Sequence, residues 1–198
     1  MSEVVIATRN AGKLNEFEAY LTPIGFKVIS LPEGIVLPPE DGESLDENAF
    51  IKAQHGRRVL GKSCIGDDSG LFVDFLDGAP GVVSARFAGD SATDEDNIAK
   101  LLRLLDGVEP SLRGAEFRCT LCYCHEGENG PTVFARGIIR GQITTHERGN
   151  AGFGYDPIFV PHGANGRSFA EMTQLEKSTM SHRGKALEAL VSVLSDTD

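Results

Sequence analysis

The sequence predicts an α/β fold built on a mixed β-sheet flanked by helices. Three observations carry this expectation. A β-branched run, a turn and a helical stripe follow one another at the N-terminus, two well-capped amphipathic helices come later, and a glycine-rich turn joins two strand-like segments.

The first run, Val4-Val-Ile-Ala-Thr8, has the length and β-branching of a buried strand. Arg9-Asn-Ala-Gly12 reads as a turn, and between Lys13 and Leu21 the residues Leu14, Phe17 and Leu21 share a helical face. Phe26 to Leu31 reads as the returning strand of a parallel βαβ unit. Ser44-Leu-Asp-Glu47 has the form of a capping box and predicts a helix from about Leu45 to Leu60. Thr93-Asp-Glu-Asp96 opens another helix, with Ile98, Leu101, Leu102 and Leu105 on one stripe. From Glu116 to Cys124, Phe117, Cys119, Leu121 and Tyr123 alternate with Arg118, Thr120 and Cys122, which is the period of a strand. Val133 to Ile143 is expected to pair with it in antiparallel fashion across Glu126-Gly-Glu-Asn-Gly130. Leu187, Leu190, Val191 and Leu194 mark a last helix that Ser181 is placed to cap. No repeat or linker interrupts the chain, so residues 1–198 are expected to form a single domain.

With 40% hydrophobic residues among 198, the chain has enough apolar material for one substantial core or two small lobes that share one, with one compact domain as the default. A net charge of −10 leaves no long basic surface for a nucleic-acid polymer, so a polyanionic partner has to be small, such as a free nucleotide. No apolar run approaches the ~20 residues of a membrane helix, and Met-Ser-Glu-Val-Val lacks the features of a signal peptide, so a cytoplasmic protein without a membrane partner is expected. Three of the four cysteines, Cys119, Cys122 and Cys124, crowd one strand-like segment, while Cys64 stands apart. A zinc site would need a second Cys/His pair at ligand spacing, and His125 is the one nearby addition. The thiols therefore read as buried strand residues.

Five segments carry possible chemistry. Thr8, Arg9, Asn10, Ala11, Gly12 and Lys13 lie on a strand-to-helix turn, where free N–H groups and the helix dipole favour a phosphate. The Walker pattern is absent, and an ordinary Asn-Gly turn with a surface lysine explains the same residues. Asp67 and Asp68 stand between apolar runs, where charge needs a cation or a metal to meet it. On an extended backbone they point to opposite sides, so one enters a site while the other makes structural hydrogen bonds. Glu40, Asp41 and Glu43 form an acidic loop ahead of a helix, and Glu40 becomes a second metal ligand only if folding brings it to Asp68. Gly149-Asn-Ala-Gly-Phe-Gly-Tyr-Asp-Pro157 offers close backbone approach and a ring, Phe153 or Tyr155, for a base to stack on. Lys177, His182 and Arg183 place cations near the start of the last helix.

In order and spacing these segments resemble the inosine triphosphate pyrophosphatase family, also called the Ham1 family, over essentially the whole chain. The resemblance rests on residues 8–13, Glu47-Asn-Ala49 with Lys52-Ala53, Asp67-Asp-Ser-Gly-Leu71 with Val73-Asp74, Pro80-Gly81 with Ser84-Ala-Arg86, Phe153-Gly-Tyr-Asp-Pro157, and Ser181-His-Arg183. It implies an elongated two-lobed fold with the active site in the cleft. The activity it implies is hydrolysis of ITP, dITP, XTP and dXTP to the monophosphate and pyrophosphate, with Mg²⁺ as cofactor, Mn²⁺ as a substitute, and a homodimer as the assembly. By the same resemblance Asp68 is the general base or water-orienting carboxylate and a metal ligand. Glu40 is the second ligand, with Asp41 or Glu43 as alternatives. Residues 8–13 form the phosphate loop, and Ser69 touches the substrate. Phe153, Gly154, Tyr155 and Asp156 form the base pocket, while Lys177, His182 and Arg183 complete the nucleotide contacts. Two positions depart from the family pattern. Arg9 stands where a small residue is common, placed to add a phosphate contact, and Leu45-Asp46 stands before Glu47-Asn48 where an aromatic or branched apolar residue is frequent. A related pyrophosphatase for pyrimidine or modified nucleotides and a nucleotide-binding regulatory module without turnover remain rival readings.

Overall fold

The computed structural model describes residues 2–195. Val4, Val5 and Ile6 are buried in β1 (Ser2–Ile6), which runs into α1 (Ala11–Leu21) and returns as β2 (Phe26–Ser30). β1 and β2 pair in parallel, with Val4 opposite Val28, and β1 also pairs in parallel with β3 (Cys64–Val73), with Val5 opposite Cys64. The predicted βαβ unit is therefore present. Its helix starts two residues earlier than the apolar stripe implies, because the Asn10 side chain accepts a hydrogen bond from the Lys13 N–H at 3.1 Å and caps the turn.

The remaining elements are α2 (Leu45–Leu60), α3 (Asp94–Leu104), β4 (Gly114–Cys124), β5 (Thr132–Ile143), β6 (Phe159–Pro161), α4 (Gln174–Met180) and α5 (His182–Ser195). Six strands form one sheet in the order β2-β1-β3-β4-β5-β6. β6 is antiparallel to β5, with Gln142 opposite Val160, so the sheet is mixed as expected. Three details differ from the sequence expectation. α2 begins at Leu45 behind Ser44, but the Glu47 carboxylate accepts from the Glu43 N–H (2.6 Å), one residue earlier than a capping box requires. The short strand β6 carries too few residues to show a period. Lys177 belongs to a separate helix, α4, whose Thr173 and Glu176 form a reciprocal capping box, and Ser181 in extended conformation separates it from α5.

The chain folds as two compact units. The first takes in residues up to 68, 119–137 and those from 183 on, and the second takes in 69–118 and 138–182. In the first unit Phe17 and Leu21 of α1 pack with Val4, Ile65, Leu121 and Leu187, and a smaller cluster sets Ala49 and Ala53 of α2 against Cys122 and Cys124. Asp46 on α2 accepts from the Thr120 hydroxyl (2.9 Å) and from Arg136 Nε (3.1 Å), which ties the helix to β4 and β5 and gives the departure at position 46 a structural use. In the second unit one core joins Leu71 and Val73 to Leu101, Phe117, Ile158, Phe159 and Phe169. All four cysteines are buried, and they divide among three clusters, so they pack as strand thiols. Burial pushes the Cys64 thiol up to about 12. Among the described residues no helix is long and apolar enough to cross a membrane.

One close contact fixes where α2 sits. Gly66 on β3 lies so near the helix that a Cβ there would collide with the Ala49 carbonyl oxygen and the Ala53 amide. Gly66→Ala is expected to cost about 1–3 kcal/mol of stability by overpacking. Urea unfolding of the variant checks this, and an unchanged midpoint would show that the helix has room to move.

Candidate active site

β3 brings Asp67 and Asp68 into a buried strand, and its alternation sends them to different partners. Asp67 Oδ2 accepts from Lys13 Nζ at 2.8 Å and lies 3.5 Å from Arg183 Nε. Arg183 Nη1 also donates to Glu16 Oε2 at 3.0 Å, so two carboxylates and two cations form one buried network with Lys13 at its more exposed end. Burial works against charge on Asp67, but Lys13, Arg183 and Lys52 outweigh it and hold the carboxyl well below the usual carboxylate range. Burial also works against charge on Arg183, and Asp67 and Glu16 overcome it.

Asp68 has the opposite balance. Its Oδ2 accepts from Asn48 Nδ2 at 3.0 Å, and its Oδ1 lies 3.6 Å from Lys52 Nζ. Burial pushes the Asp68 carboxyl above the usual range. Lys52 and Asn48 resist that shift, while Glu40 and Asp67 add to it. Lys52 Nζ donates to Glu40 Oε1 at 2.7 Å, so one buried ammonium joins Glu40 to Asp68. Burial disfavours that ammonium, but Asp67, Asp68 and Glu40 keep it protonated.

Asn48 and Lys52 had no role in the sequence reading beyond their place in the family pattern. The buried face of α2 comprises Leu45, Asn48, Ala49, Lys52, Ala53 and Gly56, which is a regular helical stripe interrupted by an amide and an ammonium. Polar residues on a core-facing stripe need buried partners, and that interruption was the available signal. Asn48 also accepts from the Gly42 N–H (2.9 Å), which anchors the acidic loop beside Asp68. Glu16 is the other omission. It lies next to Phe17 on α1, and nothing in its local sequence marks it as Arg183's partner.

In the turn of residues 8–13, Thr8 Oγ1 accepts from the Asn10 N–H (3.2 Å), and Ala11 and Gly12 open α1. Arg9 is exposed and donates to the Ile35 carbonyl at 2.5 Å, so the structure directs it to the following loop.

In the second unit, Phe153 is 39% exposed whereas Tyr155 is 4% exposed and donates its hydroxyl to the Ser84 carbonyl at 2.8 Å. Of the two candidate rings, Phe153 is the one that faces solvent and Tyr155 is a core residue. Lys177 is buried, ion-paired with Asp156, and sits 4.5 Å from the centre of the Phe153 ring. Asp156 also accepts from the Phe153 N–H (2.9 Å) and the Gly154 N–H donates to Asp94 (2.6 Å), so these two amides have acceptors within the protein. His182 is buried and stacks on Phe117 at 4.7 Å between ring centres. Ser69 Oγ is buried without a hydrogen-bond partner, which marks a hydroxyl with capacity left for a ligand.

Among the described residues no group of three or more His, Cys, Asp and Glu side chains gathers as a metal cage. Glu40 and Asp68 gather two carboxylates about one positive charge, a donor set that a divalent cation could share with water and substrate phosphates.

A buried strand with two differently compensated carboxylates, beside a lysine-bearing strand-to-helix turn, defines an α/β protein built to handle a phosphorylated ligand with a divalent cation. The chain belongs to the Ham1 family, whose model matches residues 4–193. It is 46% identical over 196 residues to the dITP/XTP pyrophosphatase of Bacillus licheniformis, covering 98% of each chain. It is 45% identical over 196 residues to that of Salmonella typhimurium, again covering 98% of both. Among solved structures, a HAM1 protein from Coxiella burnetii matches with a TM-score of 0.90 at 40% identity, covering 99% of this chain and 100% of that one. The Ham1 protein of Staphylococcus aureus matches with a TM-score of 0.86 at 35% identity, covering 100% of both.

Glu16→Ala is expected to destabilise the fold by about 3–5 kcal/mol, because it leaves Arg183 buried with only part of its compensating charge. Chemical denaturation measures the loss. A change below about 1 kcal/mol would mean that water reaches the guanidinium and the network is a surface pair.

Proposed function

We propose that this chain is a nucleoside-triphosphate pyrophosphatase that converts ITP, dITP, XTP and dXTP to the monophosphate and pyrophosphate, removing them before incorporation into DNA or RNA. The observation that carries this reading is the setting of Asp68, a buried carboxylate gripped by Asn48 on one oxygen and by an ammonium shared with Glu40 on the other. Relatives named dITP/XTP pyrophosphatase, similar along nearly their whole length, support the substrate class.

Release of pyrophosphate requires water to attack the α-phosphorus in line, and the protein's work is to orient that water and to meet the developing charge. Asp68 orients the water and accepts its proton. Its raised pKa makes it a better base than an ordinary carboxylate. Lys13 gives one hydrogen bond to Asp67 and brings its remaining donors to the phosphates, together with the N–H groups of Arg9, Ala11 and Gly12 in the turn of residues 8–13. Arg183 acts from beneath, holding Asp67 and through it Lys13. Glu40 and Asp68 are the residues that would hold Mg²⁺, with Mn²⁺ as a substitute, and Lys52 marks the positive charge they are arranged around. When bound, the ion supplies charge neutralisation at the phosphates and lowers the pKa of water.

For the base, Phe153 offers a stacking face backed by the Lys177 ammonium, and Ser69 offers a hydroxyl. With the Phe153 and Gly154 amides already engaged by Asp156 and Asp94, the donors proposed for a 6-oxo group are His182 or the remaining N–H groups of the loop. A 6-amino group would leave such a donor unpaired at about 1–3 kcal/mol. Residues 1–198 are read as one catalytic domain of a cytoplasmic homodimer.

The decisive assay incubates the protein with ITP, XTP, dITP, GTP, ATP and pyrimidine triphosphates, with and without Mg²⁺, and identifies the products. Pyrophosphate from ITP and XTP, with little turnover of ATP, is expected, and release of orthophosphate would refute the mechanism. Asp68→Asn should retain ITP binding and lose hydrolysis by a factor of about 10²–10⁴. Undiminished turnover would remove Asp68 from the reaction. The pH dependence has a definite sign. Because Asp68 must be ionised to accept a proton, kcat/KM should fall as the pH is lowered, and burial acts to raise the Asp68 pKa that sets this limb. Lys52→Met, which removes a charge that lowers that pKa, should move the acid limb to still higher pH.

A further inference from the structure

Three hydrogen bonds, beside the Lys177–Asp156 ion pair, help to hold the loop of residues 152–156 in shape. Asp156 accepts from the Phe153 N–H within the loop, the Tyr155 hydroxyl donates to the Ser84 carbonyl, and the Gly154 N–H donates to an Asp94 carboxylate oxygen at 2.6 Å. The last of these reaches Asp94, which lies in the helix-opening segment of residues 93–96 and outside the five segments that carry possible chemistry. Gly154 has a φ of +60°, and nothing lies within 4 Å of where its Cβ would be, so glycine is needed there for backbone conformation and not for space. That left-handed turn points the amide out of the loop and into the carboxylate of α3.

Asp94 is the first residue of α3, where an acid has an ordinary explanation in the helix dipole. Here that need is met by a neighbour. Asp96 accepts from the Thr93 N–H (2.9 Å), and Thr93 Oγ1 accepts from the Asp96 N–H (3.2 Å), which completes a reciprocal capping box without Asp94. Asp94 is thus the acid of the first turn that is committed to the glycine loop, and its charge reaches the Tyr155 phenol, whose pKa burial and Asp94 together raise.

We propose that Asp94 is a positioning residue for the base loop, holding Gly154 so that the Phe153 ring is already presented when a purine nucleotide arrives. The proposal rests on the reading of Phe153 as the stacking platform. A loop ordered before binding does not have to be ordered by the ligand, so the benefit appears in affinity. Asp94 touches no group assigned to the phosphate chemistry, so the chemical step is left alone.

The test compares wild type, Asp94→Ala, Asp94→Asn and Asp96→Ala in ITP hydrolysis and in amide hydrogen exchange of residues 152–156. Asp94→Ala is expected to raise KM for ITP about three- to tenfold, the effect of one lost hydrogen bond, with kcat within about twofold. Its Gly154 amide should exchange faster. Asp94→Asn keeps a carbonyl acceptor and should restore both readouts, whereas Asp96→Ala should lower the melting temperature and leave KM unchanged. Unaltered KM and unaltered exchange in Asp94→Ala would overturn the proposal, as would a fall in kcat at constant KM. If wild type does not hydrolyse ITP, the reading of the function fails, and the exchange rates alone still decide whether Asp94 holds the loop.

Discussion

Two carboxylates side by side on a buried strand are the constraint around which the first unit is arranged. Each would be prohibitively costly as an uncompensated buried charge. The protein resolves this in two ways. Asp67 receives full compensation from Lys13 and Arg183, and the arginine in turn requires Glu16. Asp68 receives partial compensation from an amide and from an ammonium shared with Glu40. Complete pairing makes Asp67 a fixed anchor for Lys13, while incomplete pairing leaves Asp68 responsive to a proton or a cation. One strand position therefore supplies structure, and the next is the one proposed to supply reactivity.

This division depends on close helix packing. α2 can reach Asp68 only because Gly66, Ala49 and Ala53 leave no bulk between strand and helix. The same helix fixes the acidic loop through Asn48 and Gly42 and brings Glu40 to Lys52. In the second unit the loop of residues 152–156 obeys a similar rule. Tyr155 and Asp156 turn inward to hold the backbone, and Phe153 is left facing outward with a buried cation behind it.

Much of this was legible in the sequence because local chemistry wrote it there. The β-branched run at β1, the Ser44 cap of α2 and the Thr93 cap of α3 each follow from short-range preferences, and the structure contains all three elements. The opposite facing of Asp67 and Asp68 also follows from strand geometry alone. What was hidden depends on contacts distant in sequence. Glu16 and Arg183 meet across a separation of 167 residues, and no local pattern announces such a pair. The choice between Phe153 and Tyr155 likewise depended on which ring the core takes up, and that is decided by Ser84, 71 residues away from Tyr155. The T-x-x-E cap of α4 and the polar interruption of the α2 stripe were readable signals that segment-by-segment pattern matching passed over.

The central claim is that adjacent aspartates on β3 ionise differently because their compensation differs. Carboxyl-carbon NMR titration of the metal-free protein measures this directly, with Asp67→Asn and Asp68→Asn used to assign the two signals. The account predicts that Asp68 titrates above the ordinary aspartate value of about 3.9 and that Asp67 stays ionised to well below it. Two carboxyls titrating together near the ordinary value would contradict it.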